Sequence, residues 1–230
     1  MSQVTENIKR LKEQIAQSAV KSGRNPDDIR LMAVTKTQPP ALVNQAIAAG
    51  ITLLGENRAQ ELCEKYDNYD KREELEIHFI GHLQTNKVKS VIDKVTAIQS
   101  VDSLKLAGEI SKQAVRAGIT TDLLIEVNIG EEESKAGTTP DEVEKLARKI
   151  AALPGVRVRG LMSIPPIWNE NAGNERFFAQ MQEMLVDIRD KNIDNISMEI
   201  LSMGMSGDFD AAIKHGSTLV RLGTAIFGQR

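Results

Sequence analysis

A lysine at the end of an apolar run is the first residue of this sequence whose type and position suggest chemistry. Lys36 follows the run RLMAVT and precedes Pro39 and Pro40. Apolar surroundings disfavour an ammonium ion, and a neutral primary amine can attack an aldehyde. The alternative is a lysine whose stem lies on apolar surface while its ammonium group reaches water. The local sequence leaves both interpretations open.

Glycine and hydroxyl residues fill two segments near the C-terminus, LSMGMSGDF (201–209) and VRLGTAIFG (220–228), which we call the glycine segments. Each contains or follows an apolar run that predicts a strand. Glycine lets the backbone approach a ligand closely, and N–H groups that open a helix point toward an anion. The same composition is also typical of ordinary tight turns. If the glycine segments bind phosphate, a ligand with both a phosphate and an aldehyde would be held here and at Lys36.

An alternation of short apolar runs with helical patterns is expected to position these residues. The segments between the runs carry one-sided apolar spacing and end at glycine or proline, as amphipathic helices do. A strand followed by a helix, repeated, predicts parallel strands with right-handed crossovers. The predicted strands lie near residues 30–35, 52–54, 77–80, 96–99, 122–127, 156–162, 198–201 and 218–221.

Eight such units predict an α/β fold, a single TIM (β/α)8 barrel. An extra N-terminal helix is expected before it, because apolar residues from Ile8 to Ala19 are spaced for one helix face. The 230 residues fit a single domain over 1–230, since about 250 residues is typical of this barrel. An open doubly wound sheet is the alternative, because three predicted strands are short. In a barrel the site lies at the carboxyl ends of the strands, where Lys36 and the glycine segments fall.

Composition excludes several classes of protein. The 32 acidic and 29 basic residues give a formal net charge of -3 without a long block of one sign, unlike a nucleic-acid or membrane-surface binder. Cys63 is the one cysteine, which excludes an internal disulfide and a multi-cysteine metal site. His78 and His82 straddle a strand end, so no metal pair is expected. No signal peptide and no run of about 20 apolar residues is found. Together with the single cysteine, this predicts a cytoplasmic protein. The balanced charge predicts a small-molecule ligand.

Longer blocks of the sequence resemble one known family. They occur in order from about Leu31 to Gly228 and are AVTKTQP, GENRAQE, HFIGHLQTNK, LLIEVNIGEEESKAG, RGLMSIPP, LSMGMSGDFDAAIKHGST and VRLGTAIFG. These blocks are similar to those of the pyridoxal phosphate homeostasis protein family, whose members resemble the N-terminal barrel of alanine racemase standing alone. The resemblance implies pyridoxal 5'-phosphate (PLP) as cofactor and a role in intracellular PLP (vitamin B6) homeostasis.

The resemblance also implies roles for individual residues. Lys36 would be the Schiff-base lysine, and Arg221 would face the pyridine nitrogen of PLP. The other implied cofactor-binding residues hold the phosphate or line the pocket and are Asn57, Met162, Ser163, Ser202, Ser206, Gly223 and Thr224. Among them Ser206, Gly223 and Thr224 would hold the phosphate, and Ser202 competes with Ser206 for that role.

These roles favour a carrier of PLP without catalytic residues. An arginine cannot act as an acid at working pH, so Arg221 would leave the pyridine nitrogen unprotonated and the ring a poor electron sink. Racemisation needs acid and base groups on opposite faces, and Tyr66 and Tyr69 are expected to pack or to be partly exposed instead. With no second domain expected after Arg230, we predict a monomer that supplies PLP to PLP-dependent apoenzymes or withholds it. The alternatives are a weak PLP-dependent amino-acid racemase and a cofactor-free Schiff-base aldolase.

Three further features receive local interpretations. Lys135, in EEESKAG, is a candidate to take the aldehyde over from Lys36 by transimination, or is a solvated lysine among glutamates. Glu56 is interpreted as a strand-end carboxylate in water. The segment PPIWNENAGNE (165–175) is interpreted as the loop between the sixth strand and its helix, with no role assigned to Trp168.

Overall fold

A closed barrel of eight parallel strands forms the centre of the molecule. The computed structural model describes residues 2–132, 135–166 and 174–228. The strands follow one another around the barrel in chain order, and the last strand pairs with the first. They are β1 (Arg30–Val34), β2 (Leu53–Glu56), β3 (Glu76–Phe79), β4 (Ala97–Val101), β5 (Thr121–Val127), β6 (Val156–Ser163), β7 (Ile196–Ser202) and β8 (Leu219–Leu222).

The predicted TIM barrel is confirmed, and the open sheet is excluded because the sheet closes on itself. All eight predicted strands are present, with bounds that differ from the prediction by at most two residues. The helices within the described residues are α1 (Gln3–Lys21), α2 (Pro40–Ala48), α3 (Ala59–Lys65), α4 (Val88–Val91), α5 (Leu104–Ala117), α6 (Val143–Ala151), α7 (Glu175–Asp190), α8 (Phe209–Lys214) and α9 (Thr224–Phe227).

The extra helix, α1, precedes the first strand as predicted. Ser2 caps it, because the Ser2 hydroxyl accepts a hydrogen bond from the backbone N–H of Thr5 at 3.3 Å. The predicted apolar face from Ile8 to Ala19 is buried. The Asn7 side chain donates to the backbone oxygen of Ile226 at 2.9 Å, which ties α1 to α9 at the opposite end of the chain.

The core has two parts, because side chains alternate between the two faces of each strand. The larger part lies between the barrel and the helices. The smaller part lies inside the barrel and includes Met32 and Leu219. Gly55 of β2 makes room there, since a Cβ atom at this position would lie 2.6 Å from the sulfur of Met32. Any larger residue at Gly55 would displace Met32 from the barrel interior.

Ion pairs join the strands near their amino ends. Arg30 of β1 pairs with Glu76 of β3 at 2.6 Å, across the intervening β2. Asp122 of β5 pairs with two arginines of β6, Arg157 at 2.7 Å and Arg159 at 3.1 Å. Arg159 also pairs with a glutamate of β7. In these barrels the amino end contributes to stability, whereas the carboxyl end carries the site.

Within the described residues, the structure contains neither a membrane-spanning helix nor a cluster of metal-binding side chains. None of the helices within these residues has the length and apolar character needed to cross a bilayer. The same part of the chain contains no group of three or more His, Cys, Asp or Glu side chains arranged as metal ligands. Of the loop predicted over 165–175, residues 167–173, with Trp168, lie outside the described residues.

Candidate functional site

The residues expected to bind a cofactor lie at or just beyond the carboxyl ends of five strands. Those strands are β6, β7, β8, β1 and β2. Because β8 pairs with β1, these five strands are consecutive neighbours in the barrel. The residues are Lys36, Asn57, Met162, Ser163, Ser202, Ser206, Arg221, Gly223 and Thr224.

Lys36 lies in a tight turn directly after β1, which we call the Lys36 turn (residues 35–38). Its start and end are joined by a hydrogen bond of 3.0 Å from the N–H of Gln38 to the oxygen of Thr35. Lys36 is exposed to solvent. It forms no hydrogen bond or ion pair with any described residue, which leaves its amine available to a ligand.

The Lys36 turn is next to the second glycine segment. Strands β1 and β8 pair directly, with Met32 opposite Arg221. A Cβ atom added to Gly223 would lie 3.4 Å from the backbone oxygen of Val34, two residues before Lys36. Closure of the barrel makes the first and last strands neighbours, so Lys36 and the second glycine segment lie side by side.

A buried ion pair behind the Lys36 turn joins β2 to α3. Glu56 is fully buried, so its interpretation as a carboxylate in water was wrong. Its Oε1 atom accepts hydrogen bonds from the hydroxyls of Thr35 and Tyr69, each at 2.6 Å, and lies 2.7 Å from Lys65 Nζ. Burial, together with the charge of Glu56, raises the pKa of Tyr69 above its usual value. Tyr69 is therefore a neutral donor committed to Glu56.

The same cluster holds the backbone on both sides of Lys36. Lys65 Nζ donates to the backbone oxygen of Thr35 at 2.9 Å and pairs with Glu61 at 2.9 Å. Glu61 in turn accepts a hydrogen bond from the backbone N–H of Thr37. Thr37 has a φ of 61°, a left-handed conformation that costs energy in a β-branched residue. The contacts to α3 hold the turn in this conformation and so fix the position from which Lys36 extends.

Arg221 is a buried cation that forms no ion pair within the described residues, although the charges of Glu126 and Asp208 act on it from a longer distance. It is 4 % exposed. Its guanidinium donates to the Ser202 hydroxyl at 2.7 Å and to the backbone oxygen of Ser163 at 2.8 Å. Burial lowers the pKa of Arg221 to about 10, so the group remains charged at neutral pH. Two of its five N–H donors are used here, and the others can bind a ligand.

The hydrogen bonds of Arg221 continue into the barrel. Ser202 donates to the side-chain oxygen of Gln99 at 2.7 Å, and the Gln99 amide nitrogen lies 2.8 Å from Nδ1 of His78. All of these side chains are buried. Gln99 is a residue that the sequence analysis missed. Its signal was a large polar side chain within the fully buried strand AIQSV, but its partners come from strands distant in sequence.

Glu126 of β5 places a carboxyl group in the same half of the barrel. It is opposite Met162 of β6, which is in turn opposite Ser202 of β7. Burial and the nearby charge of Asp102 raise the pKa of Glu126 to about 7, and Arg221 opposes this shift. The sequence analysis did not single out Glu126, because an acidic residue in an alternating strand is ordinarily solvated.

The two glycine segments meet through hydroxyl and backbone contacts. The Thr224 hydroxyl lies 3.2 Å from the Ser206 hydroxyl, which also accepts a hydrogen bond from the N–H of Ala225 at 3.4 Å. Among the described residues, no acceptor binds the backbone N–H groups of Gly223 or Thr224. Hydroxyls and N–H groups that converge in this way are suited to an anion.

The remaining predicted residues contribute buried surface. Met162 is fully buried. The Oδ1 atom of Asn57 and the hydroxyl of Ser163 are buried without a hydrogen-bond partner among the described residues. Unpaired buried polar atoms are costly unless a ligand or water binds them. Together with the unpaired Arg221, they fit an anionic ligand that also offers hydrogen-bond acceptors.

Lys135 is engaged by its neighbours. Its Nζ lies 3.0 Å from Glu132 Oε1 and donates to the backbone oxygen of Pro165 at 3.3 Å. The side chain thus links the loop after β5 to the loop after β6. This contact agrees with a lysine among glutamates, whereas its transfer role stays a prediction.

The structure is a TIM barrel in which polar side chains gather at the carboxyl ends of the strands, the end at which such barrels carry their sites. The family described as "Alanine racemase, N-terminal domain" matches residues 1–230. The protein named "Pyridoxal phosphate homeostasis protein" of Aquifex aeolicus is 40% identical over 225 residues, covering 98% of this chain and 97% of the relative. The protein of the same name in Escherichia coli K12 is 37% identical, covering 100% of this chain and 98% of the relative. The chain belongs to the pyridoxal phosphate homeostasis protein family.

Solved structures agree with this assignment. A structure of PipY from Synechococcus elongatus PCC7942 with PLP bound has a TM-score of 0.85 and 30% identity, covering 98% of this chain and 100% of PipY. A crystal structure of an unknown protein from Bifidobacterium adolescentis has a TM-score of 0.94 and 37% identity, covering 98% and 94% of the two chains. Alanine racemase of Corynebacterium glutamicum shares the fold, with a TM-score of 0.69 at 15% identity over 99% of this chain and 61% of the racemase.

Proposed function

We propose that this protein binds PLP and serves intracellular PLP homeostasis, holding the cofactor covalently on Lys36 and supplying it to other enzymes or withholding it. PLP supplies an aldehyde that condenses reversibly with a primary amine. The observation that carries the proposal is Arg221, a buried cation without an ion pair among the described residues, on the strand that pairs with β1. The names of the relatives and the PLP-bound PipY support it.

Each group of residues has a distinct task in this proposal. Arg221 donates to the ring nitrogen with an N–H that Ser202 and Ser163 do not use. Ser206 and the N–H groups of Gly223 and Thr224 bind the phosphate. Asn57, Met162 and Ser163 line the pocket. Lys36 supplies the amine.

The residues of the site favour storage and delivery over turnover. Arg221 can only donate hydrogen bonds, and with a pKa near 10 it does not release a proton at neutral pH. Neither tyrosine serves as an acid or base at the barrel mouth, because Tyr69 is bound to Glu56 and the ring of Tyr66 lies 5.0 Å from the guanidinium of Arg72. The exposed Lys36 lets another amine reach the aldehyde and remove the cofactor. A cytoplasmic monomer that exchanges PLP with apoenzymes is part of this proposal.

Borohydride reduction followed by mass spectrometry tests the covalent site. Reduction fixes PLP to the amine that holds it, so a pyridoxyl group is expected on Lys36 and is expected to be absent in Lys36→Ala. Lys87→Ala is the matched control, because Lys87 is an exposed lysine between β3 and α4 and should leave labelling unchanged. A label that persists in Lys36→Ala and resides on another lysine would contradict the assignment.

Isotope exchange tests the absence of turnover. Amino acids incubated with the PLP-loaded protein in deuterated water should gain no deuterium at the α-carbon beyond the level seen with free PLP. Deuterium that enters in a Lys36-dependent way would instead establish the weak racemase.

A further inference from the structure

A chain of buried side chains leads from Arg221 through the barrel to the opposite wall. It consists of Arg221 of β8, Ser202 of β7, Gln99 of β4 and His78 of β3, and we call it the Arg221 chain. Successive members are 2.7, 2.7 and 2.8 Å apart. All four are buried, so water does not compete for these hydrogen bonds.

The cation at one end fixes the direction of the first hydrogen bond, and the Ser202 hydroxyl sets the direction of the next. A guanidinium only donates, so the Ser202 hydroxyl must accept from Arg221 and use its single hydrogen elsewhere. That hydrogen is donated to the Gln99 side-chain oxygen. The oxygen of the Gln99 amide therefore faces Ser202, and its NH2 group faces His78. The reverse orientation, with the NH2 group donating to Ser202 and the amide oxygen accepting from a proton on Nδ1 of His78, is the alternative, and the position of the His78 proton distinguishes the two.

With the NH2 group of Gln99 facing His78, the same reasoning sets the position of the His78 proton. An NH2 group donates and does not accept, so Nδ1 of His78 must be the unprotonated nitrogen. Burial, with the nearby charge of Arg30, lowers the pKa of His78 to about 3, and the ring is neutral. Its proton then resides on Nε2. The nearest carboxylate, that of Glu76, is 3.9 Å from Nε2, too far for a hydrogen bond.

We propose that Gln99 and His78 are positioning residues for the PLP site, which hold Ser202 and Arg221 in the orientation that presents the guanidinium to the cofactor. This inference rests on the proposed function for its ligand. Without the amide donor and acceptor of Gln99, the Ser202 hydroxyl loses its acceptor and can rotate, and Arg221 loses a fixed partner. Arg221 has no carboxylate within ion-pair distance among the described residues, so these neutral groups are what orient it.

The first experiment examines the protein without PLP and so does not depend on the proposed function. Nitrogen-15 NMR of the histidine rings at neutral pH should show His78 protonated at Nε2 and not at Nδ1. The chain has three histidines, and His82→Gln and His215→Gln identify the remaining signals as those of His78. Protonation of His78 at Nδ1 would overturn the inference.

Gln99→Glu then tests whether residue 99 sets this state. A carboxylate accepts from Ser202 but has no hydrogen to donate to Nδ1, so the His78 proton is expected to move to Nδ1. Ser100→Ala is the matched control, because Ser100 is the next residue of β4 and is buried without a hydrogen-bond partner among the described residues. An unchanged tautomer in Gln99→Glu would also overturn the inference.

The second experiment measures the bound cofactor. Gln99→Leu should shift the absorbance spectrum of bound PLP and raise its dissociation constant about tenfold, the effect expected from losing one buried hydrogen bond. Ser100→Ala should change neither. If Gln99→Leu does not fold, judged by circular dichroism, Gln99→Met carries the same measurement, because methionine has nearly the same length and removes both the amide donor and the amide acceptor.

The outcomes separate the two proposals. If the wild-type protein does not bind PLP, the proposed function fails, and this inference about the PLP site fails with it even where the NMR result stands. If PLP binds normally to the wild type but Gln99→Leu matches Ser100→Ala in spectrum and affinity, the positioning role is overturned and the proposed function stands.

Discussion

Charged residues differ in their ion pairing between the amino and carboxyl ends of the barrel. At the amino end, arginines and carboxylates pair with one another, as in Arg30 with Glu76 and Arg157 with Asp122. At the carboxyl end, Lys65 pairs with Glu56, but Arg221 is buried without an ion pair and Lys36 is exposed without one, among the described residues. Hydroxyls without partners occur at both ends, so the difference lies in the charges.

This difference distinguishes charges that find their partners within the protein from charges that remain available to a ligand. Paired charges near the surface contribute modestly to stability and require nothing further. A buried cation without a partner lowers stability, and a site retains it only where a ligand uses it. The carboxyl end is therefore the part of the barrel that a ligand should stabilise most.

The largest expected effect concerns the buried ion pair between Glu56 and Lys65 at the carboxyl end. Lys65→Met leaves the carboxylate of Glu56 buried without a cation. We expect the free energy of unfolding to fall by about 3 to 5 kcal/mol, which urea denaturation measures. The Lys36 turn also loses its contact from Lys65, so the protein that remains folded should capture PLP more slowly.

A double variant shows whether the charge is the cause. Glu56→Gln combined with Lys65→Met removes both charges and should recover most of the lost stability. A double variant as unstable as Lys65→Met alone would instead assign the loss to the hydrogen bonds of the turn.

A smaller effect is expected at Glu126, whose pKa is raised from 4.5 to about 7. Between these pH values the folded protein keeps a proton that the unfolded chain has released, so the contribution of Glu126 to stability falls as pH rises. Glu126→Gln removes this penalty. Above pH 7 the variant should exceed the wild type by up to about 3 kcal/mol, and near pH 4 the two should be equal.

Denaturation at both pH values measures this difference between the variant and the wild type. Asp102→Asn provides a graded control, because it removes the second cause of the shift and should give a smaller gain in the same direction. Equal stability of Glu126→Gln and wild type at high pH would show that the carboxyl group is solvated.

The smallest effect is expected at the amino end. Asp122→Asn weakens the pairs with Arg157 and Arg159, whose side chains are partly exposed. The free energy of unfolding should fall by about 1 kcal/mol, with a smaller difference at high salt. PLP labelling of Lys36 should be unchanged. Loss of labelling in this variant would contradict the separation of the two ends.

Local patterns were sufficient to predict the strands and the extra helix. The run around Met32 and Ala33 is apolar because β1 is covered on both faces, and the spacing from Ile8 to Ala19 matches one helix face. These signals lie within single elements. The placement of the glycine segments after β7 and β8 likewise followed from chain order, since the carboxyl ends of parallel strands share one edge.

Contacts between distant elements could not be predicted in this way. Glu56 looked solvated because nothing near it in sequence shows that Lys65 folds back onto it from α3. Gln99 meets Ser202 over a separation of 103 residues, and a register shift within β4 helps to set which side chains meet. Such pairings depend on the register of the closed sheet, which residue types alone do not specify.

Pairing of the first and last strands has a consequence for how the protein acquires a ligand. Lys36 follows β1, whereas Gly223 and Thr224 follow β8, so the two halves of the proposed site meet where β1 and β8 close the barrel. A chain still lacking β8 has no complete site, and capture must come after the fold is finished. A ligand bonded on both sides of the β1–β8 pair favours the closed state by mass action and slows its opening.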